Sequence, residues 1–184
     1  MLAALLTWLL PYAGHPLYTG PLDRDGSRPV AMQDTEVAHS SAMPWQVGRP
    51  FTFGLDVLEL PRRSDQPAVV RSVEPVGLDQ GLRFLGARLG SADRTTTWQV
   101  IRQWPPRGPG HDPVPLSTPI DADPMGWELY LGFQVTRPGY YVTDGWRVTY
   151  EVGGRTYQYQ VPSQLVVCGR QVLPARPHCP FPAD

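Results

Sequence analysis

The sequence predicts an all-β fold, with short antiparallel strands packed as a two-sheet sandwich. Residues 127–135 and 146–161 alternate apolar and polar side chains almost without a break, the period of a strand with one buried face. The 184 residues include 18 glycines and 22 prolines, which favours short elements joined by turns. No stretch carries the spacing of an amphipathic helix.

Taken in order, residues 1–10 (MLAALLTWLL) form an apolar run ended by Pro11. About 20 apolar residues are needed to cross a bilayer as a helix, so this run is too short to do so alone. Its length suits the apolar region of a signal peptide, yet no Arg or Lys precedes it and no small-residue cleavage site follows. It is either the remnant of a signal or membrane anchor, or a short element packed on the domain. Residues 11–49 are polar and rich in Pro and Gly and predict an irregular arm or linker, with Trp45 and Val47 the first residues expected to dock.

The domain itself is expected over 50–168. Phe51, Phe53, Leu55 and Val57 alternate with Thr52, Gly54 and Asp56, and then the phase slips before Leu58 and Leu60, which predicts a bulge or a switch between sheets. Residues 61–67 make a turn. Strands of mixed parity follow at 68–76 and 82–89, with a β-branched, aromatic strand at 95–104. Seven prolines in 105–126 exclude a helix or central strand, leaving an extended crossing between sheets or a functional excursion. The strand at 127–136 turns at Arg137-Pro138-Gly139, and strands at 146–152 and 157–161 flank Gly153-Gly154, a pair suited to a tight hairpin turn. Residues 165–168 close the series, and 169–184 form a Pro-rich tail.

A net charge of −1 with no basic stripe along the chain gives no electrostatic signature for nucleic acid. All 16 basic residues are Arg, and Lys and Asn are absent, as expected of a high-GC bacterial genome. Cys168 and Cys179 enclose ten residues; a disulfide between them would pin the tail and place the chain outside the cytoplasm.

The strand and turn GWELYLGFQVTRPG, then GWRVTYEVGGRTYQYQVP and a closing LVVC, resemble the uncharacterised β-sandwich proteins of actinobacterial cell envelopes. The resemblance spans about Pro50 to Cys168, and its motifs are generic β signals. It implies an immunoglobulin-like domain held outside the membrane by an N-terminal anchor, secreted or tethered. It implies no activity, since none is assigned to that group. The chain departs from the group in lacking a full anchor helix, and from antibody domains in that both cysteines follow the last tryptophan, Trp146.

Motifs for chemistry are sparse. His15, His39, His111 and His178 are never spaced two or four apart, so no strand or helix face offers a metal pair. Cys168, His178 and Cys179 offer three soft ligands, and a small metal-handling protein is the alternative reading. Asp112, Asp121 and Asp123 lack the remaining ligands of a calcium loop and suit turns. His111-Asp112 near Ser117 lacks the geometry of a triad, and no nucleophile elbow or phosphate-binding glycine loop occurs. Aromatic residues are dense. Parity sends Trp127, Trp146, Tyr150, Tyr157 and Tyr159 to the core and leaves Tyr130 and Trp104 as candidates for an exposed binding face. The expected function is a non-catalytic extracytoplasmic module, structural or binding an envelope protein or glycan, without a cofactor.

Overall fold

A computed structural model of the chain describes residues 31–32, 40–59, 66–90, 99–108, 113–121, 126–173 and 178–180. Eleven strands run through the described residues: β1 (Ala31–Met32), β2 (Ser40–Gln46), β3 (Pro50–Glu59), β4 (Ala68–Val76), β5 (Leu82–Leu89), β6 (Gln99–Ile101), β7 (Trp127–Val135), β8 (Gly139–Thr143), β9 (Gly145–Val152), β10 (Arg155–Val161) and β11 (Gln164–Arg170). The expected arm over 11–49 thus contributes β1 and β2; its other residues up to 39, like the apolar run at 1–10, lie outside the described residues. Of the strand expected at 95–104, the described part is β6 and the residues that leave it.

The first sheet has the order β3-β7-β5, with β1 and β6 both on the free side of β3. The remaining strands form two three-stranded sheets, β10-β9-β4 and β2-β11-β8, which continue one another as a second layer, here called the second sheet: β8-β9 and β10-β11 are two arms of one long hairpin, turned at Gly153-Gly154, both at positive φ. The hairpin bends where the register shifts, at Asp144 on one arm and Pro162-Ser163 on the other. Gly145, at φ +127, sits in the bend, and a Cβ there would lie 2.0 Å from the Val161 carbonyl. β4 flanks one side of the hairpin antiparallel, and β2 flanks the other side parallel to β11. All other strand pairs are antiparallel. The five-stranded sheet packed on a layer built around the β8–β11 hairpin is the expected immunoglobulin-like sandwich arrangement.

The inner faces pack as expected from parity. Phe51, Phe53, Leu129, Leu131, Phe133 and Val135 meet Val70, Trp146, Val148, Tyr150, Val161 and Leu165 in one core. Trp146 bridges the layers, its ring centroid 5.9 Å from both Phe53 and Phe133. The phase slip in β3 is a bulge between Gly54 and Asp56, after which Leu58 points inward again at 1% exposure. Bulges between Val70 and Ser72, and between Phe84 and Gly86, likewise account for the mixed parity of β4 and β5. The Pro-rich stretch crosses between the sheets: Val114 pairs with Leu89 of β5, and the fully buried Ile120 pairs with Ala68 of β4.

The corner from β7 to β8 is closed by a tyrosine. Tyr141 Oη donates to the carbonyls of Arg137 (2.9 Å) and Pro138 (3.0 Å), and the ring lies against Gly81, Gly139 and Gly169. This is the tyrosine corner of immunoglobulin-like sandwiches.

Candidate functional site

The two aromatic residues expected to face solvent are both used in packing on the outer face of the first sheet. Tyr130 is fully buried, which corrects the expectation of exposure. Its ring covers Gly54 and Gly90, where an added Cβ would lie 2.9 Å and 2.7 Å from ring carbons. Trp104 is half-buried, and its indole lies over Gly132 of β7 and reaches Gly86 of β5. Glycines remove the side chains that would hold a ring off the sheet, so ring and backbone meet face to face. Glu128 shares this face at 1% exposure, and Thr52, fully buried, donates through Oγ1 to the Gln103 carbonyl at 2.6 Å. The sequence pattern had sent all of these outward, and in this sheet outward does not mean wet.

Cys168 and Cys179 form a disulfide with Cα atoms 5.6 Å apart. A thiolate is needed to hold zinc or copper, so the Cys168, His178 and Cys179 ligand set does not form; His178 is exposed beside the bond. Among the described residues no three His, Cys, Asp or Glu side chains gather as a metal site. Ser117 and Asp121 are exposed, while His111, Asp112 and Asp123 lie outside the described residues.

The disulfide fixes Cys179 on the outer face of the second sheet. Register places Ala42, Val166 and Val142 in one cross-strand row, and Pro44, Cys168 and Tyr140 in the next. Val166 is fully buried although it lies outside the main core, in a cluster with Cys168, Cys179, Ala42 and Val142. Two depressions open at this end of the sheet. One, of about 330 Å³, lies between Tyr140, Cys168, Arg170 and Pro180, with Gly139 and Gly169 presenting backbone. The other, of about 180 Å³, lies between Pro44, Trp45, Gln46, Arg49, Arg102 and Leu173. Trp45 is anchored there by its Nε1, which donates to the Arg49 carbonyl at 2.9 Å. Tyr140, 40% exposed, is the aromatic ring this end offers to solvent, and parity alone did not single it out.

Toward the opposite end of the sandwich one arginine is paired instead. Arg71, the extra residue of the β4 bulge, donates to Glu151 at 2.5 Å; that hydrogen bond lowers the Glu151 carboxyl below its ordinary range and raises the Arg71 guanidinium.

No protein-family model and no curated protein matches this chain. Among solved structures, it is similar to the CooA pilin subunit from enterotoxigenic Escherichia coli, at 11% identity and a TM-score of 0.39, over 77% of this chain and 99% of that one. It is also similar to a family 123 glycoside hydrolase from Clostridium perfringens, at 9% identity and a TM-score of 0.34, over 75% of this chain and 26% of that one. Likenesses this distant carry no functional argument.

Proposed function

We propose that this chain is a non-catalytic, extracytoplasmic β-sandwich module of the cell envelope, secreted or tethered, that binds a protein or glycan or serves as a structural unit. The observation that carries this reading is the Cys168–Cys179 disulfide, which holds Cys179 on the outer face of the second sheet. Disulfides form and persist in oxidising compartments, and here the bond keeps a fully buried valine covered on a surface that the core does not reach. The polar side chains in the two depressions support binding over catalysis: Arg49, Arg102 and Arg170 are donors that stay charged, suited to holding an anion rather than to moving a proton.

The test is thiol trapping. Cells that make the protein are treated with a permeant alkylating reagent before lysis, and the intact mass is read without reductant. The expected result is a chain two hydrogens lighter than its reduced mass and free of alkyl groups. Two alkyl groups on most of the material would overturn the extracytoplasmic reading.

A further inference from the structure

The four arginines Arg49, Arg102, Arg137 and Arg170 are spread over the sequence, yet the fold gathers them at one end of the sandwich. β2 runs parallel to β11, so Gln46 and Arg170 end side by side, and Arg49 lies in the turn that follows β2. β3 begins where β7 ends, Pro50 facing Gln134, which brings Arg137 of the next turn to the same end. β6 runs antiparallel to β3 and delivers Arg102 beside Arg49. All four are exposed, and none makes an ion pair among the described residues.

The segments that carry these arginines, 44–50, 99–108, 135–141 and 168–173, contain no Asp or Glu. Among the described residues the acidic groups on this side are Asp79, in the β4–β5 turn that closes the same end beside Val142 and whose carboxylate accepts from the Val142 amide at 2.8 Å, and Asp144, against Gly77. A chain of net charge −1 therefore gathers four exposed arginines at one end, with Asp79 the acidic side chain beside them among the described residues. Each of the two depressions there sets a guanidinium beside an apolar plane: Arg170 beside Tyr140 and Pro180, and Arg49 with Arg102 beside Pro44 and Leu173. Pro44 and Tyr140 flank Cys168 on neighbouring strands, so the two depressions are about 10 Å apart.

We propose that this end binds an acidic polysaccharide. A sugar ring laid on each apolar plane would put its charged substituent against a guanidinium, and two such places in a row suit a repeating polyanion. This rests on the envelope reading only for where such a glycan is met; binding in solution tests the surface whatever the compartment.

The experiment uses the full, disulfide-bonded chain with polygalacturonate as probe, neutral dextran as control and duplex DNA as the competing polyanion. At low salt, polygalacturonate is expected to bind and dextran not, with affinity falling as salt is raised toward 0.5 M and the Debye length shrinks to about 4 Å. Arg102→Gln and Arg170→Gln are each expected to weaken binding up to about fivefold, and together multiplicatively. Tyr140→Ala is expected to weaken it further, whereas Arg71→Gln, at the other end, leaves it unchanged. Equal retention on dextran, full binding by the double arginine variant, or binding to DNA without binding to polygalacturonate would each overturn the proposal. None of these results bears on the thiol-trapping test of compartment.

Discussion

Removing one oxygen atom from Tyr141 tests whether the β7–β8 corner is fastened by a hydrogen bond or only by packing. The hydroxyl shares one proton between the Arg137 and Pro138 carbonyls at 2.9 and 3.0 Å. In Tyr141→Phe the ring keeps its place among Gly81, Gly139 and Gly169, so no cavity opens and the loss is that of the hydrogen bond. Arg137 and Pro138 are exposed, so their carbonyls can turn to water, which holds the cost near the usual net value of about 1–1.5 kcal/mol. For a chain of this size that corresponds to a fall in Tm of about 2–6 °C. Differential scanning calorimetry and a urea titration at neutral pH measure it. Tyr140→Phe is the control, because Tyr140 is 40% exposed, and it is expected to melt with the wild type. If Tyr141→Phe also melts with the wild type while Tyr141→Ala loses the about 3–5 kcal/mol of a buried aromatic, the corner is packing alone and the reasoning fails.

Gly132→Ala would place a Cβ 2.2 Å from the Trp104 indole and is expected to cost about 1–3 kcal/mol, with a red-shifted tryptophan emission; adding Trp104→Ala should recover part of that loss, and additivity of the two would refute the contact. Replacing both cysteines by serine removes a bridge spanning a sequence separation of 11 and is expected to cost up to about 3 kcal/mol in the chain-entropy model, read as a lower urea midpoint; an unchanged midpoint would mean that the tail adds nothing to the fold. The Glu151 carboxyl is lowered from 4.5 by its hydrogen bond to Arg71, so its contribution is complete above that value and lost as pH falls through the folded pKa. Glu151→Gln should therefore flatten the fall in urea midpoint below pH 4.5, and only slightly because the pair is exposed; identical acid limbs would exclude the linkage.

The core was legible because its rule is local. From 127 to 135 and from 146 to 161, each side chain's parity decides its face, and Leu129, Leu131, Phe133, Trp146, Val148, Tyr150 and Tyr159 are all buried as that rule requires. Where the rule blurred, in β3, β4 and β5, each strand carries one bulge, and a single inserted residue exchanges the two faces from that point on. The slip before Leu58 was therefore a structural signal. The place of β2 was not legible, because it joins the second sheet through a parallel pairing with β11, more than 100 residues away, and its Pro44 reads as a breaker until the strand is known to lie at an edge.

Tyr130 and Trp104 show what parity omits. A residue directed outward is wet only if nothing lies over it, and a ring can lie flat on a sheet wherever the neighbouring strands carry no side chains. Gly132 faces Gly86 across β7 and β5, and Gly54 faces Tyr130 across β3 and β7. Those glycines were visible in the sequence; their alignment was not, because it depends on register, and both registers pass through a bulge. The arginines of the cationic end obey the same logic. Charge along the chain showed no basic run because Arg49, Arg102 and Arg137 come from three separate connections and Arg170 from the end of β11, and only strand order gathers them at one end. Local alternation thus settles which residues make the core, while register settles what each outer surface presents, and binding depends on the second.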